Sequence, residues 1–285
     1  MRIVNLIENT KGNRGCFFEH GLSFYIETKR HKLLVDTGAS DAFIRNAEIL
    51  GIDLTQVDSV ILSHGHYDHS GGILAFVEVN PKAKIYMQKN AIGDYYHKTE
   101  HMEKYIGIDK AIASLSQVVF IDGDYEIDEE LAVFGGVKGR KLWPQGNLAL
   151  KELVNGEFVQ DEFSHEQYLV ITQEDTKVLI SGCAHNGVLN ILEKYREQYD
   201  GNPVAMISGF HMQKKTDYTQ EDITVMEETA RELSETDTVF YTGHCTGEFP
   251  YEVMKKILSE QLVYVHSGEE ISFANAEVDY DKEGR

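Results

Sequence analysis

Basic residues are scarce in this chain, and their scarcity limits the partners that we expect. The sequence has 27 Lys and Arg residues against 47 Asp and Glu residues, a formal net charge of −20 at pH 7. Such a surface repels the phosphate backbone of nucleic acids and anionic lipid headgroups at long range. We therefore expect no nucleic acid and no membrane among the partners, and we expect a small molecule instead.

Cysteines and long apolar runs are also lacking. The three cysteines, Cys16, Cys183 and Cys245, are too few, and odd in number, for the disulfide framework of a small secreted domain. No stretch approaches the roughly 18 apolar residues that a membrane-spanning helix needs. The first residues also lack the apolar core and cleavage site of a signal peptide. The sequence thus predicts a cytoplasmic protein with reduced thiols.

The order of sequence patterns indicates an α/β protein. Strand-like segments and Gly-containing turns dominate residues 1–36, whereas the second half alternates apolar strand-like runs with amphipathic helical patterns. The length permits one large or two small domains, and because no linker or internal repeat is found, we predict a single domain over residues 1–285. The Gly-rich, aperiodic residues 135–164 predict a long loop or lid, and the polar residues 274–285 a frayed tail.

One short segment concentrates potential metal ligands. His64, His66, Asp68 and His69 fall within six positions, directly after the strand-like residues 57–62. Residues two apart in an extended chain point the same way, so His64 and His66 can bind one metal ion. The turn that follows can direct Asp68 and His69 to a second ion. Because this spacing rarely arises by chance, it favours a metal site over a solvated polar loop.

Three further histidines follow apolar strands that end at a glycine: His185, His211 and His244. Sites in α/β proteins collect beyond the carboxyl ends of strands, so these imidazoles can converge with the first cluster. For each of them alone, the alternative is a hydrogen-bonded structural role. That structural role is the expected one for the histidines without such a context, His20, His31, His97, His101 and His266. Cys183 and Cys245 adjoin the site histidines, but buried thiols usually act as small hydrophobic side chains, and we expect that role here.

Four motifs together resemble those of a known superfamily: HGHYDH at 64–69, GCAH at 182–185, GFH at 209–211 and TGHCTG at 242–247. They are similar to the motifs of the metallo-β-lactamase fold superfamily. With EHGLSF at 19–24 and HEQ at 165–167, they resemble the branch named for 7,8-dihydropterin-6-methyl-4-(β-D-ribofuranosyl)aminobenzene-5′-phosphate synthase. The resemblance implies a four-layer αββα sandwich of two mixed β-sheets.

The resemblance also implies roles for individual residues. It implies two sets of metal ligands: His64, His66 and His185 for the first ion, and Asp68, His69 and His244 for the second. Asp36 matches an early acidic motif and is implied to orient the histidine loop. His211 stands where most members place an acidic residue that bridges two metals. Since imidazole bridges metals poorly, the second ion is left open, and His211 is a candidate catalytic acid or hydrogen-bond donor.

These ligands imply one or two divalent metal ions, with zinc first and iron or manganese as alternatives. A metal held by imidazoles can lower the pKa of bound water to about 7, which supplies hydroxide as a nucleophile that Asp68 would orient. We therefore expect a metal-dependent hydrolase that acts on a small anionic substrate. Two alternatives stay open: the synthase reaction of the same branch, and a non-catalytic metal- or ligand-binding module.

The expectation of an anionic substrate comes from basic residues close to these motifs, since basic side chains beside a metal can hold phosphate or carboxylate groups. The candidates are Lys138, Arg140, Lys141, Lys214 and Lys215, together with His165 at the end of the predicted lid. The alternative is that these are solvated charges that balance nearby acids. The oligomeric state is left open by the sequence.

Overall fold

Two seven-stranded sheets form the centre of the fold. The computed structural model describes residues 1–12 and 14–271, so the tail predicted at 274–285 lies outside the described residues. The strands are, in chain order, β1 (Arg2–Ile7), β2 (Ser23–Glu27), β3 (Lys32–Val35), β4 (Ser59–Ile61), β5 (Lys84–Gln88), β6 (Tyr95–Lys98), β7 (Glu103–Tyr105), β8 (Val118–Ile121), β9 (Tyr125–Glu126), β10 (Leu131–Phe134), β11 (Leu150–Val154), β12 (Glu157–Gln160), β13 (Tyr168–Gln173), β14 (Thr176–Ile180), β15 (Ala205–Ile207), β16 (Val239–Thr242), β17 (Leu262–Tyr264) and β18 (Glu270–Ile271). The helices are α1 (Ala42–Ile49), α2 (Tyr67–Ser70), α3 (Ile73–Val79), α4 (Val188–Gln198), α5 (Gln220–Ser234) and α6 (Glu248–Leu258).

Both large sheets are mixed. The first has the order β18-β1-β2-β3-β4-β5-β8, with antiparallel pairing up to β3 and parallel pairing from β3 onward. The second has the order β17-β16-β15-β14-β13-β10-β9, parallel from β17 to β14 and antiparallel beyond. In each sheet the parallel half therefore ends its strands at a common edge, which is where loops can assemble a site.

Hydrophobic side chains fill three layers, because alternate residues of a strand face opposite sides of its sheet. Between the sheets, Ile26 of β2 packs in the same core as Ile171 of β13. Outside the first sheet, Phe43 of α1 and Phe76 of α3 are buried with residues of β1, β3 and β4, and each such side chain contributes about 1.5–3 kcal/mol. Outside the second sheet, α4, α5 and α6 pack on β14, β15 and β16. The predicted αββα sandwich is confirmed.

A third, four-stranded antiparallel sheet, β12-β11-β6-β7, was not expected. The prediction that residues 135–164 form an aperiodic loop is wrong for their second half, which contains a 3₁₀ turn at Gln145–Ala149 and the hairpin of β11 and β12. Asn155 and Gly156 join that hairpin with φ of 52° and 86°, the backbone of a tight two-residue turn. The Asn-Gly pair is the sequence signal that identifies it. The other two strands of this sheet, β6 and β7, lie within residues 90–108.

Among the described residues, every helix is too short or too polar to span a lipid bilayer.

Candidate metal centre

The candidate ligands lie where strands of the two large sheets end. His64 and His66 follow β4 of the first sheet, and His185, His211 and His244 follow β14, β15 and β16 of the second. The two edges approach closely at Gly182, where an added Cβ would lie 2.2 Å from Ser63 Oγ and 3.1 Å from His64 Nδ1. A side chain at position 182 would thus separate the loops that carry His64 and His185.

Several residues at these strand ends adopt left-handed backbone conformations. Asp36, Ala184, His211 and His244 have φ of 61°, 51°, 48° and 49°. A left-handed conformation costs a residue other than glycine about 1–2 kcal/mol, so the surrounding structure must hold each of these turns in place. The strain is concentrated where the chain leaves the sheet and its side chains enter the site.

The first set of candidate ligands is compact and buried. The ring centroids of His64, His66 and His185 lie 4.6–4.9 Å apart, and all three residues are buried. Their Nε2 atoms are buried and have no hydrogen-bond partner among the described residues. Buried polar atoms are almost always hydrogen-bonded, so three convergent imidazole nitrogens without a partner fit the lone-pair requirement of a divalent metal ion.

The second set lies beside the first. Asp68 Oδ2 is 3.4 Å from His244 Nε2 and 3.8 Å from His69 Nε2. The ring of His69 lies 4.1 Å from that of His64, so the segment of residues 64–69 supplies donors to both sets. A carboxylate and two imidazoles in this arrangement fit a second divalent ion.

Hydrogen bonds to the opposite ring nitrogens fix the orientation of these imidazoles. Each Nδ1 atom lies within 2.9 Å of an oxygen: His64 of Ser63 Oγ, His69 of Asp36 Oδ2, His185 of Asn147 Oδ1 and His244 of Asn9 Oδ1. Such partners hold the tautomer that leaves Nε2 free for a metal. Asp36 also accepts hydrogen bonds from the backbone N and Oγ of Ser63, both at 2.7 Å, and so lies where the resemblance placed it.

The electrostatics favour neutral imidazoles in the first set, and an ionised Asp68 beside a protonated His69 in the second. Burial lowers the pKa of His64 and His185 well below the usual value, and it lowers the pKa of His66 to about 3. Burial acts to raise the pKa of Asp68, but the charges of His69 and His244 outweigh it and hold that pKa far below the usual range. For His69, burial is outweighed by the Asp36 and Asp68 carboxylates, which raise its pKa to about 9. A metal ion bound at the second set would therefore have to displace a proton from His69.

A model of the metallo-β-lactamase superfamily matches residues 17–244, a span that contains both sets of donors. The chain belongs to the metallo-β-lactamase superfamily.

Two proteins that are similar to nearly the whole of this chain have names that describe different activities. The 7,8-dihydropterin-6-methyl-4-(β-D-ribofuranosyl)-aminobenzene-5′-phosphate synthase of Methanocaldococcus jannaschii is 27% identical over an alignment of 298 positions, which covers 96% of this chain and 97% of the relative. A solved structure described as a metal-dependent hydrolase of the β-lactamase superfamily is 29% identical, with a TM-score of 0.81, and covers 96% of this chain and 100% of its own. Zinc-bound PqqB of Methylobacterium extorquens, 12% identical with a TM-score of 0.56 over 96% of this chain and 100% of its own, shares the fold.

Most superfamily members have an acidic bridging residue where this chain has His211. Its ring lies 4.2 Å from that of His185, its Nδ1 is buried without a partner among the described residues, and its backbone N donates to Cys245 Sγ at 3.3 Å. The residue is half-buried, at the margin of the first set. This placement fits a proton donor better than a bridging ligand.

His20 was expected to be structural, and that expectation is wrong. Its Nε2 lies 3.4 Å from Asp68 Oδ2, its ring stacks on His244 at 5.2 Å, and 57% of its side chain is exposed. His20 thus lies on the open side of the second set. The EHGLSF motif, in which it is the second residue, is the signal that could have identified it.

The expected substrate contact by His165 is not supported. His165 is completely buried; its Nδ1 accepts a hydrogen bond from Gly65 N at 3.0 Å and its Nε2 lies 3.1 Å from Asp161 Oδ2. Both ring nitrogens are therefore used within the protein. His165 supports the loop between His64 and His66 instead.

Most of the basic residues that were expected to bind an anionic substrate form ion pairs within the protein instead. Three of them form ion pairs with acidic residues: Arg140 with Glu162, Lys141 with Glu232 and Lys214 with Asp222. For these three, charge balance is the correct interpretation. Lys138 and Lys215 are exposed and make no ion pair with a residue that the structure describes.

Lys215 has neighbours that the sequence did not suggest. Burial lowers the pKa of His97, and the nearby charges of Lys215, Lys104 and His211 lower it further. The Nδ1 of His97 is buried without a partner among the described residues. His97, from β6 of the third sheet, is thus close enough to Lys215 and His211 for their charges to lower its pKa. We call these three side chains the basic group, in which Lys215 rather than His97 supplies positive charge.

Proposed function

We propose that the protein is a metal-dependent hydrolase that acts on a small anionic molecule. The observation that carries the proposal is the convergence of four buried Nε2 atoms, from His64, His66, His185 and His244, beside the carboxylate of Asp68. None of the four has a hydrogen-bond partner among the described residues. When bound there, a divalent metal ion, with zinc the first choice, supplies an acidified water and polarises an electrophilic carbonyl or phosphoryl group.

The protein's own groups would position the reactants. Asp68 stays ionised at neutral pH, so its carboxylate can accept a hydrogen bond from the attacking water and orient it. His211 has an unpartnered Nδ1 beside His185 and can donate a proton to the leaving group. His20, on the exposed side of Asp68, is placed to exchange protons with solvent.

The basic group of His97, His211 and Lys215 supports an anionic substrate. Lys215 is exposed and has no carboxylate partner among the described residues, in a chain whose acidic residues far outnumber its basic ones. A phosphate or carboxylate group of the substrate would supply the missing negative charge.

The synthase reaction is the second candidate, and the observation that favours it is the relative from Methanocaldococcus jannaschii, which is similar over nearly its whole length. A synthase would join a pterin donor to a ribosylaminobenzene phosphate with loss of a phosphorylated leaving group. Incubation with a pterin diphosphate and that acceptor, followed by mass spectrometry, separates the two reactions: a coupled product supports the synthase, and hydrolysed donor alone supports the hydrolase.

The test of the main proposal starts with metal content. Protein purified without chelator should hold at least one metal ion per chain and should turn over at least one substrate in a screen of phosphodiesters, thioesters and lactones. His66→Ala should lose the metal and the activity. Asp68→Asn should keep the first metal and lose at least about 100-fold in kcat, the usual effect of a misplaced reactant.

His101→Ala is the matched control, because His101 is exposed and its variant should retain both metal and activity. Full metal content and activity in His66→Ala would refute the site. Wild-type kcat in Asp68→Asn would remove that carboxylate from the mechanism.

A further inference from the structure

Cys183 lies at the centre of the candidate ligands. Its Sγ is within 4.8 Å of donor atoms in three groups: with His64 and His185, with His69 and His244, and with His211 and Cys245. The nearest of the measured contacts is His69 Nε2, at 3.2 Å. The thiol therefore lies between the two sets of ligands and is close to both.

The local backbone explains this position. Cys183 directly follows Gly182, whose missing side chain allows contact with Ser63, and the left-handed Ala184 then turns the chain so that Cys183 and His185 reach the same region. Cys183 is only 3% exposed. A buried thiol could simply fill space, which is the role that the sequence suggested.

The imidazoles around Cys183 argue against simple packing. His64, His185 and His244 are each at least 99% buried, and each offers a ring nitrogen within 4.8 Å of the sulfur. The Nε2 atom of each has no hydrogen-bond partner among the described residues. An apolar packing role would leave these nitrogens unsatisfied in the interior, at about 1–3 kcal/mol each. A metal ion held jointly by the imidazoles and the sulfur would satisfy all of them.

The measured separation also fits shared ligation. Zinc binds sulfur at about 2.3 Å and imidazole nitrogen at about 2.0–2.1 Å, so two such donors on one tetrahedral ion are roughly 3.5 Å apart. The 3.2 Å between Cys183 Sγ and His69 Nε2 is close to that value. Cys245 Sγ also lies within 4.8 Å of Cys183 Sγ and of a ring nitrogen of His211, and it contacts two backbone groups, the N of His211 at 3.3 Å and the O of Cys183 at 3.6 Å.

We propose that Cys183 is a metal ligand whose thiolate lies between the two ligand sets and supplies the bridging anion that His211 cannot. This inference rests on the proposed function only in requiring a metal at the same centre. On binding, the thiol releases one proton to solvent and the sulfur lone pair forms the bond to the ion. A thiolate also makes the centre selective for zinc or iron over magnesium and manganese, which prefer oxygen ligands.

Cobalt substitution tests the proposal without reference to turnover. Reduced apoprotein titrated with Co(II) should develop a sulfur-to-cobalt charge-transfer band in the near ultraviolet beside the visible bands of the bound ion. Cys183→Ala and Cys183→Ser should abolish the near-ultraviolet band and weaken zinc binding by at least about tenfold, the lower limit for loss of a supporting group. Cys245→Ala is the matched control, a buried thiol three residues beyond the end of a different strand, β16, and should retain the band.

The outcomes separate this proposal from the proposed function. Bound cobalt without a sulfur band in the wild type, or a band lost in Cys245→Ala and retained in Cys183→Ala, would overturn the role of Cys183 and leave the hydrolase proposal standing. A normal band with no turnover of any substrate would overturn the hydrolase proposal alone. Absence of cobalt binding would overturn both.

X-ray absorption of the zinc-loaded wild-type protein provides a measurement that does not depend on the folding of a variant. The zinc edge should contain a sulfur scattering path at about 2.3 Å. A shell of nitrogen and oxygen alone would overturn the proposal.

Discussion

Asp36 and His69 form a buried carboxylate–imidazole pair in which Oδ2 lies 2.6 Å from Nδ1, and neither side chain is exposed to solvent. The same oxygen accepts a hydrogen bond from Ser63 Oγ, which in turn contacts His64 Nδ1 at 2.8 Å. One carboxylate therefore orients an imidazole in each of the two ligand sets.

We predict that Asp36→Asn weakens metal binding by about 10–100-fold, as loss of such a carboxylate does in other metal sites. Asn is the appropriate substitution because it tolerates the left-handed backbone of position 36, where φ is 61°. Competition against a chelator measures the affinity. Asp41→Asn, in an exposed ion pair on the neighbouring helix, should bind metal normally. An unchanged affinity in Asp36→Asn would show that the pair only supports the fold.

We predict that His211→Ala keeps the first metal ion and lowers kcat by about 100-fold or more, the usual contribution of a general acid. The reason is that its ring borders His185 but its Nδ1 has no partner among the described residues. Because position 211 has a φ of 48°, His211→Asn should be made as well, to separate backbone strain from loss of the imidazole. Elemental analysis and single-substrate kinetics give the answer, and loss of the first metal would mean that the ligand sets are assigned wrongly.

We predict that Lys215→Ala raises KM for an anionic substrate about two- to fivefold, from the roughly 1 kcal/mol or less that an exposed charge contributes. Lys214→Ala is the natural control, because Lys214 is already paired with Asp222. The difference between the two variants should shrink as salt is added, because the charge of Lys215 is exposed and screened. An equal effect of Lys215→Ala on a neutral analogue would exclude a role in binding the anion.

We predict that His31 makes stability depend on pH. His31 joins the two large sheets: its Nδ1 lies 3.0 Å from Asp58, which precedes β4, and its Nε2 lies 2.6 Å from Asp128, which precedes β10. Burial acts to lower its pKa, but the hydrogen bonds to Asp58 and Asp128 outweigh burial and raise it above the usual value. Since the folded pKa exceeds the unfolded one, the contribution is complete below the unfolded value of about 6.5 and is lost as pH rises through the folded value.

Urea unfolding of metal-loaded protein measures this contribution to stability. It should be carried out below the unfolded-state pKa of about 6.5 and above the folded-state pKa of His31. The wild type should lose more stability than His31→Gln as pH rises, and His101→Gln, at an exposed position, should behave as the wild type. If the free energies of unfolding of His31→Gln and of the wild type changed with pH in parallel, the contacts of His31 with Asp58 and Asp128 would make no pH-dependent contribution to stability.

Sequence patterns predicted the elements whose apolar residues follow a regular period. The amphipathic helical patterns expected in the second half include α4, Val188–Gln198, and the strand-like runs include β13, Tyr168–Gln173, because each buries apolar residues in a large core. The third sheet was missed because β7 is wholly exposed and β6 is only partly buried, so neither shows a hydrophobic period.

The donors of the candidate site were also proposed from the sequence, since each follows a strand, but of their supporting residues only Asp36 was anticipated. Asn147 contacts His185 across 38 positions of the chain, and Asn9 contacts His244 across 235. Such pairs depend on how loops meet in three dimensions, and no local pattern marks them. The same holds for the pairing of Arg140 with Glu162, which turns an apparent anion ligand into a neutralised charge.

The unpartnered imidazole nitrogens have a consequence for the fate of the newly made chain. Without an ion, the folded protein must keep four buried nitrogens away from water, whereas the unfolded chain can hydrate them. Metal binding therefore stabilises the folded state by mass action, about 4 kcal/mol when free metal exceeds the dissociation constant 1,000-fold. In a cell short of metal, the chain would spend more time unfolded and exposed to proteases, so its abundance would follow the metal supply.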